Sequence, residues 1–281
     1  MKNSKSNTFN NKVALITGAG SGIGRATAIE LAKQGAQLWL TDIDEAGLNE
    51  TAQSVISHGA ICHTLIANVA SITDMRKVAK AVHAEHPALD ILINNAGIGV
   101  AGRFVDTTLK TWNRVLDVNV KGVVHGCHVF VPNMMKRGSG HIVNVASAAA
   151  FIAPKEMPIY TTSKFAVLGF SESLRSDLHE FGIGVSAVCP GIINTNIVSK
   201  TLFEGAPGEN DAVKNKIDQF YQKRNYTPEK VALGILSAIE KNVAVQPISP
   251  ESWAMYFAKR LVPGVVDRVS KQTFSLNAFS R

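Results

Sequence analysis

The 281-residue chain holds only three cysteines, Cys62, Cys127 and Cys189, odd in number and far apart. That excludes a disulfide framework and a cysteine-based zinc pattern. Its eight histidines show no metal spacing. His125 and His128 share a helical face, but no carboxylate or cysteine accompanies them, so no metal is expected. No apolar run approaches the ~18 residues of a membrane span, so no integral membrane segment is expected. Residues 1–11 (MKNSKSNTFNN) lack the apolar centre of a signal peptide and read as a disordered tail. A reducing, cytoplasmic setting is the expectation. Charge of one sign is not concentrated: the net charge is +7, yet residues 201–281 carry 11 Lys/Arg against 8 Asp/Glu. Without a basic stripe, nucleic-acid binding is not expected.

What is present is a globular composition, 46% hydrophobic and 18% charged, with a regular rhythm. Apolar runs at 12–17, 37–41, 60–66, 89–94, 140–146 and 183–189 alternate with helical stretches near 22–34, 44–58, 71–85, 108–131 and 158–181. A helix at 227–241 and a strand at 243–247 follow. Short apolar strands alternating with helices imply a parallel sheet covered on both faces. Right-handed crossovers then give an α/β, Rossmann-type doubly wound fold. One domain over 12–248 is expected. Residues 192–226 form a long polar insertion of the kind that serves as a substrate lid. In the extension 249–281, Ser249-Pro250-Glu251 reads as a helix start and Pro263-Gly264 as a stop.

Tyr160 and Lys164 stand four apart, thirteen residues after Ser147. On a helix they share a face. A phenol has a pKa of about 10, and a nearby cation favours its ionised form, so the triplet suggests a tuned proton donor and acceptor. A second match, Tyr226 and Lys230, is structural. Thr227-Pro228 reads as a helix N-cap and first turn, which leaves Tyr226 outside the helix of Lys230.

Gly18, Gly22 and Gly24 follow the first strand and open the first helix. Glycines there allow a tight turn, and the helix N-terminus offers amides to phosphate. Arg25, rather than Lys-Ser/Thr, follows Gly24, so this is not a nucleoside-triphosphate loop. Asp42 ends the second strand, where a carboxylate accepts from both ribose hydroxyls and repels a 2′-phosphate. No basic residue follows it, and Ser21 rather than Arg or Lys precedes Gly22. NAD is therefore expected over NADP.

Together these residues resemble the short-chain dehydrogenase/reductase family in its single-domain form, over roughly residues 11–247. The matching motifs are Thr17-Gly18-x-x-x-Gly22-x-Gly24, Asn94-Asn95-Ala96-Gly97, Asn119, Ser147, Tyr160-x-x-x-Lys164, Pro190-Gly191 and Thr195. The resemblance implies Tyr160 as acid/base and Lys164 as the residue that lowers its pKa and holds the nicotinamide ribose. It implies that Ser147 orients the substrate oxygen and that Asn119 holds a water leading to Lys164. It also implies cofactor contacts at Gly18, Ser21, Gly22, Ile23, Gly24, Asp42, Asn95, Ala96, Gly97, Pro190, Gly191, Ile193 and Thr195, with Asn94 in the cleft wall. Similar sequences often carry Asp near the adenine where this chain has Asn68-Val69. The Asn68 side-chain oxygen still accepts a hydrogen bond, so this pair is kept as a contact.

The expected activity is metal-free hydride transfer between NAD and a small-molecule secondary alcohol or ketone, hydrophobic if the apolar residues at 148–153 and 192–203 line the pocket. Rival expectations are an NADPH-linked carbonyl or acyl-thioester reductase of lipid metabolism, and a non-catalytic cofactor-binding regulator. Helices 108–131 and 158–181 usually build a dimer interface in similar proteins, so a homodimer or homotetramer is expected.

Overall fold

Val13–Thr17 (β1) is buried at every position, and its side chains alternate between two cores. Val13 and Leu15 join one apolar cluster, and Ala14 and Ile16 join the other. A strand with both faces buried needs helices on both sides. They follow in the computed structural model, which describes residues 8–194, 201–205, 215–216, 219, 224 and 226–272.

The remaining sheet strands are β2 (Gln37–Asp42), β3 (Cys62–Ile66), β4 (Ile91–Asn94), β6 (Gly140–Val145), β7 (Ile183–Pro190) and β9 (Val245–Ile248). The sheet runs β3-β2-β1-β4-β6-β7-β9 with every neighbouring pair parallel. The order reverses beside β1, the switch point where a ligand crevice opens at the carboxyl ends of the strands. The helices are α1 (Gly22–Ala32), α2 (Glu45–Ser57), α3 (Ile72–Glu85), α4 (Leu109–Leu116), α5 (Gly122–Arg137), α6 (Pro158–Leu178), α7 (Pro228–Glu240), α8 (Pro250–Leu261) and α9 (Pro263–Gln272). A two-stranded parallel pair, β5 (Val100–Ala101) and β8 (Leu202–Phe203), lies outside the main sheet.

Four expectations need correction. Residues 8–11 are not a loose tail. Phe9 is 1% exposed and packs with Ala14, Leu31 and Leu38. Asn11 N donates to the Gly35 carbonyl at 2.9 Å. The expected helix 108–131 is α4 and α5 joined by a π-turn over Asp117–Lys121, and α5 runs on to Arg137 before Gly138, at φ +74°, ends it. The 158–181 helix closes at Leu178 and finishes in a 3-10 turn. Pro263 ends α8, but it also opens α9, because proline suits the first helical position.

Candidate functional site

A cleft of about 1310 Å³ runs along the carboxyl ends of the strands. It gathers residues scattered over most of the chain. Gly18, Ser21, Gly22, Ile23, Asp42, Asn68, Val69, Asn95, Ala96, Gly97, Ser147, Tyr160, Lys164, Pro190, Gly191 and Ile193 all line it. Thr195 lies outside the described residues, as does most of the 192–226 insertion.

At one end, the turn after β1 packs tightly. Gly18 has φ +65°, and a Cβ there would lie 2.7 Å from Ala96 Cα. Gly24 does not line the cleft. It faces the Gly18 carbonyl, with which any side chain would collide. Asn95 fastens this turn by donating through Nδ2 to the carbonyls of Thr17 and Gly18, both at 3.0 Å. Thr17 Oγ1 in turn accepts from Asn95 N and Ala96 N. Asp42 accepts from Gly20 N at 2.8 Å and Asp44 N at 3.0 Å, so its carboxylate is fixed in orientation as well as charge. Nearby Arg25 is occupied. Its guanidinium donates to the Gly20 carbonyl at 2.6 Å and to Glu50 at 2.8 Å.

After β3, Asn68 Oδ1 accepts from Ala70 N at 3.0 Å, and the Val69 carbonyl meets His125 Nδ1 at 2.8 Å. His125 thus serves a backbone group. Among the described residues no cluster of His, Cys, Asp and Glu could hold a metal.

At the other end, α6 carries Tyr160 and Lys164 on one face. Lys164 is 5% exposed. Its Nζ donates to the Val145 carbonyl at 3.0 Å and lies 5.6 Å from the Tyr160 ring centroid. Burial lowers the Lys164 pKa to about 8, opposed by Cys189. Burial also pushes the Tyr160 phenol above its ordinary value, while a hydrogen bond with Ser147 pulls it down. The sequence led us to expect Lys164 to lower it; the desolvation of the phenol dominates instead. Ser147 Oγ accepts from Ala149 N at 3.2 Å, which leaves its own proton to donate toward Tyr160.

Asn119 sits on the π-turn and does not line the cleft. Its side chain accepts from Ile98 N at 2.8 Å, and it donates to the Ile98 carbonyl at 3.0 Å and Ser163 Oγ at 3.1 Å. Gly97 lies between it and Lys164: a Cβ there would be 3.3 Å from Asn119 Oδ1 and 3.6 Å from Lys164 Nζ. Asn94 does not face the cleft either. It is buried and donates to Asn144 Oδ1 at 2.9 Å. Tyr226 also stays out of the cleft, with Lys230 Nζ 5.2 Å from its ring centroid.

Several lining residues escaped the sequence reading. From α4 come Lys110, Asn113 and Arg114, with Asp117 just beyond. Their i, i+3, i+4, i+7 spacing marks one polar helix face, opposite buried Thr111 and Val115. Thr201 comes from the insertion, beside Phe203, one of the apolar residues expected at the pocket; both are held where Leu202 N donates to the Gly99 carbonyl at 3.0 Å. Glu251 and Met255 come from α8, so the C-terminal extension reaches the cleft.

A crevice at the switch point, with this turn, Asp42, Ser147, Tyr160 and Lys164 along it, is the arrangement of a dinucleotide-dependent dehydrogenase. The short chain dehydrogenase pattern matches residues 12–204, and the chain belongs to that family. It is 43% identical over 260 residues to the oxidoreductase EphD of Mycobacterium tuberculosis, covering 91% of this chain and 44% of that protein. The chain thus spans under half the length of that relative. It is 34% identical over 266 residues to the oxidoreductase SadH of the same organism, covering 93% of this chain and 95% of that protein. Among solved structures, a short chain dehydrogenase/reductase from Burkholderia phymatum in complex with NAD is 30% identical, with a TM-score of 0.84, over 95% of this chain and 98% of that one.

Proposed function

We propose that the chain is an oxidoreductase that moves a hydride between NAD and a hydrophobic secondary alcohol or ketone. The observation that carries this reading is the convergence of Ser147, Tyr160 and Lys164 in one cleft whose far end presents Asp42. The residues fit a dinucleotide. The glycine turn packs so closely on Ala96 that no side chain fits at Gly18, and the first turn of α1 opens on the cleft through Gly22 and Ile23. Those amides suit a pyrophosphate. When bound, a nicotinamide would accept or supply the hydride and, oxidised, would bring a positive charge that favours a phenolate.

The chain's own residues handle the proton. Ser147 has one proton to give: donated to Tyr160 it favours the ionised phenol, and once the phenol is protonated it is free to hold the substrate oxygen. Tyr160 takes the hydroxyl proton in oxidation and returns it in reduction. Lys164, held by the Val145 carbonyl, places a cation where the phenolate forms. Asn119 acts through Ile98 and Ser163, holding the Gly97 wall beside Lys164.

Ala148, Ala149, Ile152, Met157, Ile192 and Phe203 line the cleft around Tyr160. Burying such surface contributes about 25 cal/mol per Å², which favours an apolar substrate. The test is an activity screen with NAD and NADP over long-chain, polycyclic and small polar alcohols and ketones. Highest kcat/KM for NAD with the apolar set is expected. Preference for small polar alcohols would overturn the substrate class, and preference for NADPH would overturn the cofactor.

A further inference from the structure

Beyond β7 the chain turns through Pro190, Gly191 and Ile192, which line the cleft. The turn is held from outside its own strand. Glu251, in the first turn of α8, accepts from Ile192 N through Oε1 at 3.0 Å. Its other oxygen, Oε2, is ion-paired with Arg224. The next residue, Ser252, is fully buried and donates through Oγ to the Cys189 carbonyl at 2.7 Å. So two adjacent residues of α8 grip the chain on either side of Pro190 and Gly191.

The fit is close. A side chain at Gly191 would collide with Glu251 Oε1 and Ser249 Oγ. Ser249, which leads into α8, has φ +97°. A non-glycine residue in such a region costs on the order of 1–3 kcal/mol, so its surroundings must enforce it. The Glu251 side chain is 17% exposed. An ionised acceptor makes a stronger bond to a backbone amide than a neutral one, and only a carboxylate both accepts from Ile192 and pairs with a guanidinium.

We infer that Glu251 is a positioning residue: it fixes the Gly191–Ile193 segment in the cleft wall and ties it to Arg224, so that the C-terminal extension sets cofactor affinity. This rests on the nicotinamide reading of the cleft. A purely structural role at a helix N-terminus would change the stability of α8 and leave the cofactor constants of the folded protein alone.

The experiment compares the full chain with Glu251→Ala, Glu251→Gln and Arg224→Ala. It measures NADH binding by fluorescence titration, kcat and KM for NAD, and amide hydrogen exchange across 190–193. Glu251→Ala is expected to raise Kd and KM for the cofactor about tenfold, the scale of one charge-assisted hydrogen bond. Its kcat at saturating NAD should change much less, and exchange at Ile192 should accelerate. Glu251→Gln keeps an acceptor for Ile192 N, so it should restore slow exchange and much of the affinity. Arg224→Ala should fall between. A Glu251→Ala protein with unaltered Kd, or one that loses only kcat, overturns the inference. If the unaltered chain bound no nicotinamide cofactor, the functional reading would fall. Unchanged exchange at Ile192 in Glu251→Ala would overturn the anchor whatever the cofactor.

Discussion

Lys164 Nζ lies 5.6 Å from the centre of the Tyr160 ring while donating to the Val145 carbonyl at 3.0 Å. The ammonium is therefore aimed by β6 and not by the phenol. Both groups are penalised by burial in opposite senses: the lysine is pushed down to about 8 and the tyrosine up. Burial thus works against the charged form of each, and at Tyr160 the Ser147 hydrogen bond opposes it.

Removing the phenol oxygen tests that division of labour. Tyr160→Phe keeps the ring and its packing, so folding and NADH binding should persist. General acid–base transfer contributes about 10²–10⁴-fold, and kcat should fall about a thousandfold. Because burial raises the phenol pKa, alcohol oxidation by the unaltered protein should climb with pH through the alkaline range, and ketone reduction should fall. Stopped-flow or steady-state absorbance at the nicotinamide band reads both. Near-normal turnover in the variant would remove Tyr160 from the chemistry.

Asp42 offers a second test. Its charge faces the cleft, while its oxygens steady Gly20 N and Asp44 N. Asp42→Asn retains the shape and one acceptor but removes the charge. Unit charges about 4 Å apart interact by about 1–4 kcal/mol between bulk water and a protein surface. The ratio of kcat/KM for NADP to that for NAD should therefore rise about tenfold or more. An unchanged ratio, with an unchanged melting temperature, would show that the carboxylate does not select the cofactor.

The rhythm of strands and helices was legible because the central strands β1, β4, β6 and β7 are buried on both faces, as Val13 and Ala14 show by entering opposite cores. The Tyr160–Lys164 pair was legible because four residues make one helical face. Other features were not. Phe9 sits in a polar stretch, and nothing local says that a lone aromatic folds back into the core cluster that holds Leu31 and Leu38. Asn94 and Asn95 are adjacent and chemically alike, yet strand alternation sends one into the core and the other to the glycine turn. Glu251 stands 59 residues from Ile192, and that contact depends on where α8 docks after β9, which no local pattern encodes. The polar face of α4 was visible as a spacing, but a polar face ordinarily means solvent.

His141 carries the last prediction. It is buried beside Ser186, with Nε2 2.8 Å from Ser186 Oγ. Burial, with Arg175 adding to it, lowers its pKa from 6.5 to about 4. Between those values the unfolded chain binds a proton that the native protein does not. Stability from this residue is complete above about 6.5 and is lost as pH falls toward 4. Between pH 7.5 and 5 the loss from this one group should be about 2 kcal/mol. His141→Gln places a neutral amide there that can still donate to Ser186 and does not titrate. Urea midpoints at the two pH values should differ less in the variant than in the unaltered chain, whatever the variant's stability at neutral pH. Carboxylates titrate equally in both proteins, so the difference of differences isolates the imidazole. Parallel pH dependences would mean that His141 is solvated in the native state, against its burial between β6 and β7.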